Sequence, residues 1–581
     1  MLTLKNKRPG AVLFAAILWL SGSGAAAQDA DMQGSGRISC IPLGTLAPFW
    51  RYSAALGPFL EGGQALIEIP DYVLSGDFPY KKRPYPMEVP FADHLSLVRI
   101  LGGYNDGSAK GKSDPAVRAR DLAWRGADGK IHYRMELLKP RLQPYLDNGC
   151  TNLTIVLDNV PWCFPEHPAA EGLGQKCPPR DPQEWHDFVE AVCEEFVHIM
   201  GSEAANRLRF RVGTENNGVA RFSGSHDEFI RHYDASAAAV KSVLPDAQVG
   251  PFNIGGAGVR GNEKANVRPF DLAAHCFNET NTFTGKVGTP FDWVAFSRYY
   301  LPGIDLEANA RGCGVIWDEF ERRVPQLKGV SREIHEFGVA PFGEEEKGHF
   351  VSEECGALGA AATAQMMFRL REDGIDRLWH WGVTDRFRAR DNKLHSLFTG
   401  EAWLLSVLEY AAGGEAFLLE PVAESAAGTR FIGLASVKSD VAIFIFSAYN
   451  KDTAVNTSET VRFRIPKEAV DLSKTLSYAV LNRDTAVHDR IRRDFEAAGL
   501  LADRFTARPD RLGGVREMGK GRPAEILAGD KLAEYYKVWE RSLTLKPLAA
   551  GIGTLTELPG YYEFTLNLTP PEVLVIRTSG E

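Results

Sequence analysis

Leu208-Arg209-Phe210-Arg211-Val212 is a short run with the character of a β-strand, and Gly213-Thr214-Glu215-Asn216-Asn217 follows it directly. Further on, Arg332-Glu333-Ile334-His335 reads as a second strand and runs into Glu336-Phe337-Gly338. Both belong to a longer series. Leu95–Leu101 (LSLVRIL), Leu153–Leu157 (LTIVL), Ala247–Phe252, Trp293–Phe296 and Arg377–Trp381 (RLWHW) also read as strands. Between them Trp185–Gly201, Asp227–Val243 and Gly356–Arg371 carry apolar residues at helical spacing. Strand and helix in alternation predict an α/β fold with a parallel sheet. Seven strands spread over roughly 290 residues suit a (β/α)8 TIM barrel. The remaining strand is expected between Arg37 and Tyr72.

Outward from this core the texture changes. Beyond about residue 400, Val441–Ser447 (VAIFIFS), Val461–Ile465 and Tyr562–Leu568 alternate or run apolar, as β-strands do. The expectation is a barrel over residues 28–400 and a C-terminal antiparallel β-sandwich over 401–581. A charged, partly helical insertion is expected near 485–545. At the other end, Lys5, Lys7 and Arg8 precede an apolar run from Ala11 to Leu20, and Ala25-Ala26-Ala27 follows. A basic n-region, short apolar h-region and A-x-A site form a secretory signal peptide over residues 1–27. That run is too short to span a bilayer. The mature chain is therefore expected to be exported, periplasmic or secreted, with no membrane anchor.

The 581 residues are 44% hydrophobic, enough for a large core, and carry a net charge of −9. An acidic chain without a basic stripe argues against nucleic acid as a partner. The eight cysteines form no C-x-x-C pair, and His226, His232, His335 and His380 are not spaced as a zinc set, so no metal and no cofactor are expected. Cys163 and Cys177 flank a Pro- and Gly-rich loop and are the first candidates for a disulfide; unpaired buried thiols are the alternative.

Active groups of a (β/α)8 barrel lie at the C-terminal ends of its strands. Glu215 and Glu336 each follow an apolar run, on what count as the fourth and seventh strands. Two carboxylates facing across a cleft meet the requirement for glycoside hydrolysis, one protonated to donate to the leaving oxygen and one ionised. Taken singly, each Glu is as readily a surface loop residue.

The segment RFRVGTENNG, with FIRHYDASAAAVKSVLPDAQVGPFNIGG after it, resembles the acid/base region of glycoside hydrolase family thirty-nine, which includes β-xylosidases, α-iduronidases and exopolysaccharide hydrolases. FDWVAFSRYY, SREIHEFG and RLWHWGVTD are similar to that family's sixth, nucleophile and eighth strands; LAPFWRYSAALG resembles its opening and LNRDTAVHDRIRRDFEAAG part of its C-terminal region. The resemblance covers most of residues 45–500. It implies a retaining glycoside hydrolase acting on an oligo- or polysaccharide, with Glu215 as acid/base and Glu336 as nucleophile. It implies that Tyr299 touches the nucleophile and that Arg99 is a buried arginine holding it ionised. Asp158, Asn159 and Trp162 either line the donor subsite or serve loop capping. Trp379 and Trp381 either offer apolar platforms to a sugar face or pack in the core. His335, directly before Glu336, belongs to the same substrate-binding set. The family usually places Asn before the acid/base Glu, where it bonds the sugar 2-hydroxyl, and Pro after it. Here Thr214 and Asn216 stand in those places, so that contact passes to Asn216, Asn217 or a substrate with a different group at C2. A non-catalytic carbohydrate-binding or scaffold protein on the same barrel is the competing reading, favoured by Thr214. An acyl hydrolase lacks its G-x-S-x-G elbow.

Overall fold

The computed structural model describes residues 40–46, 50–54, 94–97, 100–104, 115–147, 152–171, 174–255, 266–300, 304–339, 356–381, 385–388, 394–397, 400–439, 441–501 and 519–578. The expected leader at 1–27 and Arg99 lie outside these residues.

Eight parallel strands form one sheet: β1 (Trp50–Ala54), β2 (His94–Leu97), β3 (Asn152–Leu157), β4 (Arg209–Val212), β5 (Gln248–Pro251), β6 (Trp293–Tyr300), β7 (Ser331–Val339) and β8 (Arg377–Trp381). Their order is β5-β4-β3-β2-β1-β8-β7-β6. A single parallel bridge links Ile254, three residues beyond the end of β5, to Phe296 in β6. The first strand falls inside the expected window. Two others run further than the sequence suggests: β6 extends to Tyr300 and β7 to Val339, so Tyr299 and Glu336 lie within strands rather than after them.

The helices follow from local chemistry. α1 (Pro182–Met200) starts at Asp181, whose carboxylate accepts from the Gln183 and Glu184 amides, with Pro182 in the first turn. It buries Trp185, Phe188, Val189, Val192, Cys193 and Phe196 along one stripe. α2 (His226–Val243) opens with a capping box between Ser225 and Glu228. α3 (Leu306–Arg323) lies against β6 and α4 (Ala357–Glu372), and α4, buried over almost its whole circumference, also meets the C-terminal sheet at Arg430–Val437 and Ala442–Tyr449. One face of the sheet meets these helices: Phe210 packs on Phe196 and Phe296 on Trp317. The alternate residues, among them Arg209, Arg211, Trp293, Glu333 and His335, therefore lie on the opposite, inner face.

Residues after 414 form two antiparallel sheets. β9 (Glu415–Leu419), β10 (Arg430–Val437), β11 (Ala442–Tyr449), β13 (Leu476–Asn482) and β15 (Glu572–Thr578) belong to one, which Cys40–Thr45 joins at its edge. β12 (Glu459–Pro466), with Gly553–Leu558 and β14 (Tyr561–Leu568), forms the other. Their shared core holds Phe444, Phe446, Phe463 and Phe564. In β12 the buried Val461, Phe463 and Ile465 alternate with more exposed neighbours. Between β13 and Gly553 the chain turns helical. There α5 (Val487–Ala497) sends Asp489 to the N-terminus of α4, where its carboxylate accepts from the Ala357 amide at 2.9 Å.

Cys163 and Cys177 are not joined by a disulfide. The Cys177 sulfur accepts instead from the Ser223 hydroxyl at 3.1 Å, and Cys163 packs against the main core, where burial pushes its thiol up to about 12.

Candidate active site

Glu215 sits just beyond β4 with a φ of 51°, in the left-handed region that a side chain other than glycine rarely adopts. Such a conformation costs about 1–3 kcal/mol and persists only when its surroundings enforce it. Here the Glu215 amide donates to the Asn253 carbonyl at 3.1 Å, and the Glu215 carbonyl accepts from the Gly218 amide at 2.9 Å. Its carboxylate faces Arg221, whose Nη2 lies 3.3 Å from Oε2. The chain at Gly255 passes close by. A Cβ on that glycine would stand 2.7 Å from the Glu215 Cδ, so the carboxyl keeps this position only beside a glycine. Gly255 is itself pinned by Asn217, which donates to its carbonyl at 2.9 Å and accepts from its amide at 3.0 Å.

Glu336 reaches the same space from β7 by way of a β-bulge. Against β6, Ile334 pairs with Phe296 and Glu336 with Ser297, so His335 is one residue too many. A bulge re-aims the side chains beside it. Ile334 and Phe337 remain with the apolar core, while His335 and Glu336 both face the inner side. Asn253 donates its amide to Glu336 Oε1 at 3.1 Å and to the Ser297 hydroxyl at 2.6 Å. Tyr299 donates its hydroxyl to Glu336 Oε2 at 3.1 Å. One residue, Asn253, thus holds the backbone of Glu215 and the carboxylate of Glu336.

Burial, and next the charge of Glu215, push the Glu336 carboxyl up, while Arg221, Arg211 and the Asn253 amide pull it down. Two carboxylates in one site titrate as a pair, and the second proton to leave is retained to higher pH. The Tyr299 hydroxyl is pushed well above its usual range by burial and by Glu336, which keeps it a donor.

The other expected residues divide. Asp158 and Asn159 end β3 beside the site: Asp158 Oδ2 accepts from the Thr214 hydroxyl at 2.8 Å, and Asn159 has a φ of 49°. Thr214 and Asn216 are buried next to Glu215, and Asn216 Oδ1 has no partner among the described residues. Three residues are committed to contacts within the protein. His335 is 1% exposed and both its ring nitrogens are engaged, Nδ1 with Arg211 and Nε2 with Glu333, so it meets no sugar. Trp379 is 3% exposed, packed edge-on to His335 and under Arg209; it is a core residue rather than a platform. Trp162 is buried, with its amide donating to Asp121 and its indole to the Tyr104 carbonyl, which makes it a brace between loops. The side chain of Trp381 lies outside the description.

Four participants were not anticipated: Asn253, Gly255, Arg221 and Arg211. Asn253 stands one residue beyond the expected Ala247–Phe252 strand, so the strand-end rule would have found it. Arg209 and Arg211 repeat at i, i+2 in one strand as Glu333 and His335 do in another, and that spacing puts each pair on one face. Arg221 left no signal.

Residues 173–397 match the family described as glycosyl hydrolases family 39. An alpha-1,4-L-rhamnosidase of Formosa agariphila is 24% identical over 315 residues, covering 52% of this chain and 60% of that protein. A beta-xylosidase of Geobacillus stearothermophilus is 36% identical over 86 residues, covering 14% of this chain and 17% of that one. The chain therefore aligns with less than two thirds of either relative's length. Among solved structures, a monomeric beta-xylosidase from Caulobacter crescentus CB15 superimposes with a TM-score of 0.60 at 14% identity, covering 93% of this chain and 98% of that one. At that identity the likeness is one of fold. The segment that matches glycosyl hydrolases family 39 contains both Glu215 and Glu336.

Proposed function

We propose that the chain is a retaining enzyme that cleaves an oligo- or polysaccharide by double displacement, with Glu336 as nucleophile and Glu215 as acid/base. The observation that carries this reading is Asn253, whose carbonyl holds the Glu215 backbone while its side-chain amide holds the Glu336 carboxylate, so that both glutamates belong to one site. Glu336 is the deeper of the two and accepts from both Tyr299 and Asn253, bonds that favour an anion able to attack the anomeric carbon. Glu215 is partly open, on a loop, where it can reach a leaving oxygen and later activate water. The Ile254–Phe296 bridge supports reading the eight strands as a closed (β/α)8 barrel, and the shared phenylalanine core supports reading the two antiparallel sheets as a β-sandwich packed on it. The carbohydrate relatives support a glycan substrate. The basic-apolar-small pattern of residues 1–27 supports export.

Kinetics of two variants test the roles. Glu336→Ala should lose turnover on every substrate, and azide should restore some with an activated donor, giving a product of inverted configuration. Glu215→Ala should be far less harmed when the leaving group needs no proton, and azide should then give a product of retained configuration. Identical leaving-group dependence in the two variants would sink the assignment.

A further inference from the structure

In contact with Thr214 and His335, the residues directly before the two glutamates, is a cation that the mechanism above does not use. Arg211 is fully buried on the inner face of β4. Its Nε donates to the Gly213 carbonyl at 3.1 Å, its Nη2 to the Thr214 hydroxyl at 2.9 Å, and its Nη1 meets His335 Nδ1 at 3.3 Å. A guanidinium only donates, and this settles the hydrogens of its neighbours. His335 Nδ1 must accept, so its proton sits on Nε2 and goes to Glu333 Oε2, 2.6 Å away. Thr214 Oγ1 must accept as well, so its own hydrogen goes to Asp158. Glu333 is held in turn by Arg209 at 2.7 Å and by the Ser331 hydroxyl at 2.7 Å. A continuous chain thus runs from Arg209 through Glu333, His335, Arg211 and Thr214 to Asp158, tying β4 to β7 and then to β3.

We propose, on the assignment of Glu215 and Glu336 made above, that Arg211 is a positioning residue: the fixed cation that acts on both carboxylates, with Thr214 and His335 as its cradle. The cation is not supplied by His335, since burial pulls its imidazole down to about 4 and leaves it neutral between Arg211 and Glu333. The charged or titratable groups facing Arg211 among the described residues are Glu336 and His335 on β7, Asp158 after β3, and Glu215 and Arg221 on the loop after β4. The anions outnumber the cations, and Glu336 is the strongest of them toward Arg211. The proposal also accounts for Thr214 where the family usually has Asn. Its hydroxyl hydrogen is committed to Asp158 and one lone pair to Arg211, so Thr214 serves the cation rather than the sugar.

The test is the pH profile of kcat/KM on an aryl glycoside that the enzyme turns over, with thermal melts of each variant. Arg211→Met should move the acid limb upward by about one pH unit or more, because Glu336 then keeps its proton longer. A folded Arg211→Met with an unmoved limb overturns the proposal. If that variant fails to fold, Thr214→Val decides, since it keeps shape and charge and removes only the hydroxyl. It should lower kcat about ten-fold with KM unchanged, as loss of a bond to a charged group predicts. A raised KM with preserved kcat would mean that Thr214 touches sugar and would overturn the cradle. Glu336→Ala, measured beside them with and without azide, separates the two claims. If it stays active, the catalytic assignment itself has failed. If it is dead and rescued while the Arg211 and Thr214 variants behave like the parent, only the present proposal has failed.

Discussion

Gly255→Ala should disable Glu215, the proposed acid/base, while leaving the fold alone. The new methyl carbon would stand 2.7 Å from the Glu215 Cδ, with the carboxylate oxygen Oε1 also at 2.7 Å. Carbon atoms settle at about 3.5–4.0 Å, so one partner must move by about 1 Å. Gly255 is held by its two backbone bonds to Asn217, whereas the Glu215 carboxyl is the end of a flexible side chain held by one long contact to Arg221, so the carboxyl gives way. A misplacement of about 1 Å in a reacting group is worth on the order of 100-fold in rate. The loss should depend on the substrate. kcat/KM should fall about 100-fold for glycosides with poor leaving groups, and little for activated aryl glycosides that need no proton. The melting temperature should stay level or rise slightly, because Gly255 is not in the left-handed region and Ala reduces the freedom of the unfolded chain. An equal loss across all leaving groups, or full activity on all of them, would refute the placement of Glu215 as the proton donor.

Tyr299→Phe removes one of the two donors on Glu336, and a bond to a charged group is worth about 1.5–3 kcal/mol, so kcat should drop roughly 10- to 100-fold in steady-state assays. Activity should disappear as the pH falls through the raised range of Glu336, above that of an ordinary glutamate, because in its proposed role as nucleophile only the ionised form attacks; a pH–rate profile with its acid limb near 4 would contradict this. Trp379→Ala should cost about 3–5 kcal/mol in denaturant unfolding with KM unchanged, whereas a raised KM in a stable protein would restore it as a sugar platform. Asp489 is pushed up to about 6, chiefly by burial and against the bond from Ala357. The folded state then binds its proton more tightly than the unfolded state, so stability is fullest below pH ~4 and is lost as the pH rises through 6, by on the order of 3 kcal/mol. Asp489→Asn should flatten that part of the stability profile, measured by urea titration at several pH values.

The parallel sheet was legible because each strand and helix carries its own period, and the two glutamates because strand ends are where such folds keep their chemistry. β12 was legible for the same reason, with Val461, Phe463 and Ile465 marking one face. What escaped was whatever depends on two strands at once. The Arg209–Glu333 and Arg211–His335 contacts join residues 124 positions apart, and within either strand a lone charge looks like a solvated side chain. Trp379 was undecided between core and cleft because an aromatic at a strand end suits both, and only the edge-on His335 excludes the cleft. The role of Thr214 followed from Arg211 and could not be seen before it.

The bulge at His335 also governs how this chain is to be compared with others. Ile334 and Phe337 point one way and Glu336 the other, which is the alternation of a strand in which His335 had never been inserted. His335 is therefore the extra residue of the bulge, accommodated without turning Glu336 around. A relative that lacked the bulge would keep its glutamate on the same side but one step nearer to the residue matching Ile334. An ungapped comparison of the two would set that glutamate against His335, and would read a difference in chain length as the loss of a catalytic group.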